Sequence, residues 1–265
     1  MSLTRTPGPL ATNPPAETNY SIDGPAHRLL LTPFPRRVRA ELAGVTVLDT
    51  IAGGLVHESN LLPVLYVPEA DVDMSLLEPT DRTSHCPFKG DASYWSVRVA
   101  DRVAENAVWG YRDPIDSAAW LRGLVGFYWD RLDRWFDEDD EVFAHLRDPF
   151  HRTDVRPSSR TVTVRIGDAV VAESRHALVL SETGLPNRWY VPVEDIRTEL
   201  FVPTDTTTHC PYKGDASYWT YRPGDGGGDV VDVAWSYEKP LDDVPRIAGH
   251  RSFLGAGVSV DVTAR

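Results

Sequence analysis

What this chain lacks narrows its chemistry first. It has two cysteines, Cys86 and Cys210, too few for a disulfide scaffold, and without a C-x-x-C pair neither can belong to a four-thiolate zinc site. Cationic charge is short: Lys and Arg total 27 against 39 Asp and Glu, a formal net charge of −12. Such a surface repels nucleic-acid phosphates, so no nucleic-acid partner is expected. No apolar run reaches the roughly 18 residues that a membrane-spanning helix needs, and no charged stretch leads into an apolar one at the N-terminus. A soluble, cytoplasmic chain with no membrane partner is the resulting expectation. Neither G-x-x-x-x-G-K-[ST] nor H-E-x-x-H occurs, and Gly226-Gly227-Gly228 reads as a hairpin connection rather than a phosphate cradle.

What is present is a duplication. Residues 80–95 read TDRTSHCPFKGDASYW and residues 204–219 read TDTTTHCPYKGDASYW, 13 identities in 16 positions at the offset that separates Cys86 from Cys210, 124 residues. Carried backwards, that offset pairs Pro79 with Pro203, Tyr66 with Tyr190 and Glu58 with Glu182. Carried forwards it becomes 126 and pairs Trp109 with Trp235, Tyr111 with Tyr237 and Phe127 with Phe253. A two-residue length change in one loop accounts for the shift. The boundaries read as a Pro-rich N-terminal arm over 1–35, a first copy over 36–128, a linker helix and extended connector over 129–157, and a second copy over 158–265. The arm carries Pro7, Pro9, Pro14, Pro15, Pro25, Pro33 and Pro35 and too little apolar patterning for a core, so it is expected to be disordered or laid on the surface. Trp129, Leu132, Trp135, Phe136 and Phe143 fall at near-helical spacing, which predicts a helix of about 15 residues. Inside each copy the period is two: Val162, Val164 and Ile166 alternate before a Gly167-Asp168 turn, and further short strands follow. The fold class is therefore mostly β, two copies of a small, mainly antiparallel domain. Duplicated domains often reproduce within one chain the interface that single-domain relatives would form as homodimers, so the copies are expected to pair with pseudo-twofold symmetry inside a monomer.

The duplicated T-H-C-P-[FY]-K-G-D-A-S-Y-W, with V-A-E-S-R at 171–175 and Y-V-P at 190–192, resembles the domain of unknown function 427, a family that also carries a nucleotidyltransferase label. The resemblance spans both copies and the spacer, and implies a compact β domain of the tent-like type of methionine sulfoxide reductase B. The zinc-binding cysteine pairs of that type are missing here, so no metal is carried over, no cofactor is implied, and no catalytic residue transfers.

Read directly, the motif offers a candidate site. Cys210 ends a strand, Gly214 can take positive φ, and Lys213 can curl over the turn and favour the thiolate, while His209 and Cys210 must point to opposite faces. Cys210, Lys213 and His209 are thus the candidate catalytic residues. Arg175, His176, Asp215, Tyr218, His85, Cys86 and Lys89 are the candidate ligand-binding ones, for a small anionic or electrophilic molecule. Copy one has Ile51 and Ala52 where copy two has Arg175 and His176, which favours copy two as the working pocket. Trp235 and Phe253 read as core. The alternatives are a non-catalytic structural or interaction module, in which the motif is only the densest part of the fold, and the labelled nucleotidyltransferase. The latter needs carboxylates to hold Mg²⁺ beside phosphates, and Asp137–Glu141 reads more simply as a solvated acidic face.

Overall fold

The computed structural model describes residues 3–4, 8–13, 17–224 and 227–263. Pro7, Pro14, Pro15, Gly226 and the last two residues of the second copy lie outside the described residues. The chain divides into two compact units, 1–150 and 151–265. Among the described residues the elements are strands and short 3₁₀ turns, and no helix is long and apolar enough to cross a membrane.

The first unit contains β1 (Leu29–Pro33), β2 (Val38–Leu42), β3 (Val45–Thr50), β4 (Gly54–Glu58), β5 (Val64–Pro68), β6 (Leu77–Cys86), β7 (Gly90–Val99), β8 (Arg102–Gly110), β9 (Leu124–Phe127), β10 (Arg134–Asp137) and β11 (Asp140–Val142). They form a seven-stranded antiparallel sheet, β1-β4-β5-β9-β8-β7-β6, and a four-stranded one, β11-β10-β2-β3. The second unit contains β12 (Thr153–Pro157), β13 (Thr161–Ile166), β14 (Ala169–Ser174), β15 (Leu178–Glu182), β16 (Arg188–Pro192), β17 (Phe201–Cys210), β18 (Gly214–Tyr221), β19 (Val230–Ser236), β20 (His250–Phe253) and β21 (Val258–Thr263). Its sheets repeat the order: β12-β15-β16-β20-β19-β18-β17 and β14-β13-β21. Strand for strand, the second list reproduces the first except for β11.

The alternation of period two is what builds these cores. Along β13 the burial alternates, with Val162, Val164 and Ile166 inward among Val171, Ala172, Val191, Val233 and Phe253. In the first unit Val38, Ala40 and Leu42 of β2 meet Trp95, Val97 and Val108 from the larger sheet. Side chains of both sheets thus fill one interior, as a two-layer β domain requires.

The linker helix expected over 129–147 is not there. Trp129–Arg131 is one 3₁₀ turn, and β10 and β11 form a hairpin that joins β2 antiparallel. The apolar spacing misleads because a turn followed by a strand satisfies it as well as a helix does: Trp135 and Phe136 are buried, and Trp129 stacks on Trp135 at 4.3 Å. Glu138 adopts φ +55° in the reversal, a left-handed conformation that a helix does not contain. Residues 129–142 therefore complete the first copy, as β21 completes the second. The arm and connector likewise contribute β1 and β12, which begin each repeat before residues 36 and 158. Part of the arm is packed down: Thr4 and Ala11 are buried, the Thr4 hydroxyl donates to the Glu58 carbonyl at 2.7 Å, and Arg28 donates to the Ala11 carbonyl at 3.0 Å.

Candidate functional site

The duplicated motif is a β-hairpin in both copies. Cys86 opposes Gly90 across β6 and β7, and Cys210 opposes Gly214 across β17 and β18. Gly90 and Gly214 take φ +103° and +98°, the left-handed region where a side chain would be strained. A Cβ at Gly214 would also come within 3.2 Å of the Lys239 carbonyl. That closeness reflects a second device: the amide of Leu241 donates to the Lys213 carbonyl, and that of Ile115 to the Lys89 carbonyl, each at 3.1 Å. The turn is thereby pinned beneath a loop, and its lysine points inward.

The lysine partners are carboxylates. Lys89 Nζ donates to Glu58 Oε1 at 2.5 Å and Lys213 Nζ to Glu182 Oε2 at 2.7 Å, with all four side chains no more than 11% exposed. The other oxygen of each glutamate meets an imidazole: His27 Nε2 at 3.3 Å and His151 Nε2 at 3.0 Å. Each imidazole packs on the aromatic residue of the turn, His27 on Phe88 at 4.1 Å and His151 on Tyr212 at 4.0 Å. The same His-Glu-Lys constellation is thus built twice, from the segment just before β1 or β12, from β4 or β15, and from the hairpin turn. Burial raises the Glu182 carboxyl, but the His151 hydrogen bond and the Lys213 charge outweigh it and hold the group below the usual carboxylate range.

Each constellation borders a cavity. The one in the first unit is about 480 Å³ and the one in the second about 340 Å³. Six lining residues correspond: Glu58, Tyr66, Lys89, Tyr94, Trp109 and Tyr111 in the first, and Glu182, Tyr190, Lys213, Tyr218, Trp235 and Tyr237 in the second. The indole N–H of Trp109 donates to the Tyr66 hydroxyl at 2.9 Å, and that of Trp235 to Tyr190 at 3.3 Å. Burial pushes the phenols of Tyr66, Tyr111, Tyr190 and Tyr237 well above their ordinary value, so they stay protonated donors at neutral pH.

Of the residues singled out from the sequence, Lys89, Lys213 and Tyr218 line these cavities. His85 and His209 face the other way, each bonded across the hairpin to Asp91 or Asp215 at 2.7 Å on the exposed side. Cys86 and Cys210 are half-buried against the core clusters that include Tyr66 and Tyr190, and are not among the lining residues. Arg175 and His176 are exposed in the bend between β14 and β15. Trp235, read as core, is a cavity wall, whereas Phe253 is core. The ammonium that was to activate Cys210 is directed at Glu182 instead. Among the described residues no cluster of three or more His, Cys, Asp or Glu side chains is arranged to hold a metal ion.

Sequence reasoning missed Glu58, Glu182, His27 and His151. The glutamates were already paired by the repeat offset but belong to no motif. The histidines obey the same offset, as do Pro33 and Pro157, and extending the register across the assigned boundaries was the available signal. One family model, described as Domain of unknown function (DUF427), matches residues 30–138 and again 154–264, while no curated protein matches the chain.

Proposed function

Because the chain belongs, in both halves, to the domain-of-unknown-function family DUF427, whose description assigns no reaction, we propose a role from the cavities themselves. Each copy binds a small, flat organic molecule with one oxygen-bearing polar end. The observation that carries this reading is the recurrence of the six lining residues at both cavities, while neighbouring wall positions such as Tyr128 and Leu254 differ. Aromatic walls favour a flat apolar body, and a few convergent polar groups orient it. Those groups are the lysine, the glutamate and protonated tyrosines.

The charge balance refines the ligand class. At the lysine itself Lys213 is matched by Glu182, and the further cation of the second wall, Arg188, is accompanied by the carboxylate of Asp232 on the same lining. A neutral polar end such as a hydroxyl or carbonyl fits the hydrogen-bonding groups without burying a net charge. A role for the Cys210 thiol has less support, since it lies off the lining. The nucleotidyltransferase label finds no better support: the acidic run pairs with Arg36 through Asp137 and with Arg134 through Glu141 in the β10–β11 hairpin.

Benzyl alcohol tests the reading as a non-reactive neutral probe, with benzoate as its anionic counterpart. Saturable binding of benzyl alcohol is expected, with a tryptophan emission change that is lost in Trp109→Phe, Trp235→Phe. Stronger binding of benzoate would restore the anionic ligand. Absence of saturable binding for both, with cavity substitutions altering only stability, would favour the structural module.

A further inference from the structure

Of the 27 basic residues in this chain only Lys89, Lys213 and Lys239 are lysines, and every other one is arginine. Lys239 is exposed. The two remaining lysines occupy equivalent places, each nearly buried, each on a cavity wall and each against a glutamate whose side chain is no more than 9% exposed. A purely structural ion pair would be served as well by arginine, whose planar fork meets a carboxylate with two bonds. What an arginine cannot supply is a titratable primary amine. We propose that Lys89 and Lys213 are amine nucleophiles that condense with an aldehyde or ketone seated in their cavities, while Glu58 and Glu182 move the protons. This rests on the cavity reading above and narrows its ligand to a carbonyl compound.

The step balances within the groups present. The ammonium passes one proton to the glutamate, and the free amine adds to the carbonyl carbon, giving a carbinolamine. The glutamic acid returns its proton to the departing hydroxyl, which leaves as water. The products are a protonated imine, still paired with the glutamate carboxylate, and one water molecule. The first transfer runs along a hydrogen bond that is already in place, 2.5 Å from Lys89 Nζ to Glu58 and 2.7 Å from Lys213 Nζ to Glu182. A lysine beside an apolar wall is a recognised way to obtain a nucleophilic amine. His27 and His151, on the second oxygens of the glutamates, orient those carboxyls. The Tyr111 ring lies 5.8 Å from Lys89 Nζ, and its hydroxyl remains a donor for a carbonyl oxygen.

The experiment incubates the full chain with benzaldehyde and sodium cyanoborohydride, which reduces an imine to a stable benzyl amine, and maps the adducts by peptide mass. Lys239 serves as the exposed control. The expected result is benzylation of Lys89 and Lys213 at least about tenfold faster than of Lys239, since a bound carbonyl sits at high effective concentration. Excess benzyl alcohol should suppress it. In Lys89→Arg the first adduct should vanish while the Lys213 adduct persists, and the second copy then reports that the chain is folded. Glu58→Gln should slow the Lys89 adduct without slowing that of Lys213. Benzyl alcohol binding together with unlabelled Lys89 and Lys213 would overturn the imine inference and leave the cavity reading standing. Failure of both probes would overturn the two together, and labelling no faster than at Lys239 would also end the proposal.

Discussion

The two copies hold the same chemical floor under different walls. In both, a glutamate, a lysine and an imidazole meet beneath three tyrosines and a tryptophan. Around the first cavity Phe127, Tyr128, Trp129, Trp135 and His145 continue the aromatic lining, with Leu146 beside them on the wall. Around the second, Leu254 replaces Tyr128, Arg188 replaces Val64, and Asp232 joins the wall. A floor held constant while its walls change is what two related sites with one chemistry and two ligand preferences would show. A motif kept only for folding has no reason to keep a buried charge pair, which is a weak source of stability compared with apolar packing of equal volume.

The largest expected effect breaks the floor. Removing one member of a buried pair strands the other, at a cost of about 3–5 kcal/mol. Glu58→Ala and Glu182→Ala should both destabilise by that order in chemical denaturation. The two costs should be alike, because each substitution strands a lysine whose side chain is 9% or 11% exposed. Equal and negligible costs would mean that the pairs are surface-like and the floor is not a unit.

A wall substitution separates the copies. Gly126 faces the Trp109 ring, and a Cβ there would sit 2.6 Å from Trp109 Cζ2, whereas the second copy carries Ser252 at the same register. Gly126→Ser should therefore displace the indole, cost about 1–3 kcal/mol as overpacking does, and weaken benzyl alcohol binding at the first cavity only. Calorimetric titration showing two unequal sites becoming one would establish it. Unchanged binding would detach Trp109 from the ligand.

Acid should sharpen the comparison at a smaller scale. The Glu182 carboxyl is held below its unfolded value near 4.5. Its stabilising contribution is therefore full above that value and is lost as pH falls through the folded one. The stability difference between the wild type and Glu182→Gln should shrink as pH drops below about 4, the region of unperturbed carboxylates. A difference constant from neutral pH into that range would place the cost in packing rather than in charge.

How far the sequence disclosed this arrangement depends on the kind of signal. The duplication, the strands and the hairpin at Cys210–Gly214 were legible because identity at a fixed offset, period-two alternation and turn glycines are local marks. The opposed faces of His209 and Cys210 followed from strand geometry alone. The β10–β11 hairpin was not legible, since Trp129, Leu132 and Trp135 satisfy a helical period by accident of a turn followed by a strand. Nor was the lysine partner: Glu182 lies 31 residues from Lys213 and His151 another 31 before that, and only sheet order brings them together. Attention to the motif placed the chemistry on its thiol, whereas the fold directs the amine away from it.

The smallest expected effects fall on the hairpin tip, and they decide between the amine and the thiol. His209 and Asp215 form a partly exposed pair, of a kind that contributes at most about 1 kcal/mol. Cys210 packs at the border of the core cluster that includes Tyr190 and Tyr237, without lining the cavity. Cys210→Ser should then shift the denaturation midpoint only slightly and leave both benzyl alcohol binding and Lys213 benzylation in place, and Cys86→Ser should do the same in the first copy. The comparison is informative because the two thiols, unlike the walls, sit in equivalent surroundings. Should Cys210→Ser abolish probe binding while the protein stays folded, the thiol reaches the ligand after all, and the reading of a thiolate activated by its neighbouring lysine would replace the imine in the second copy.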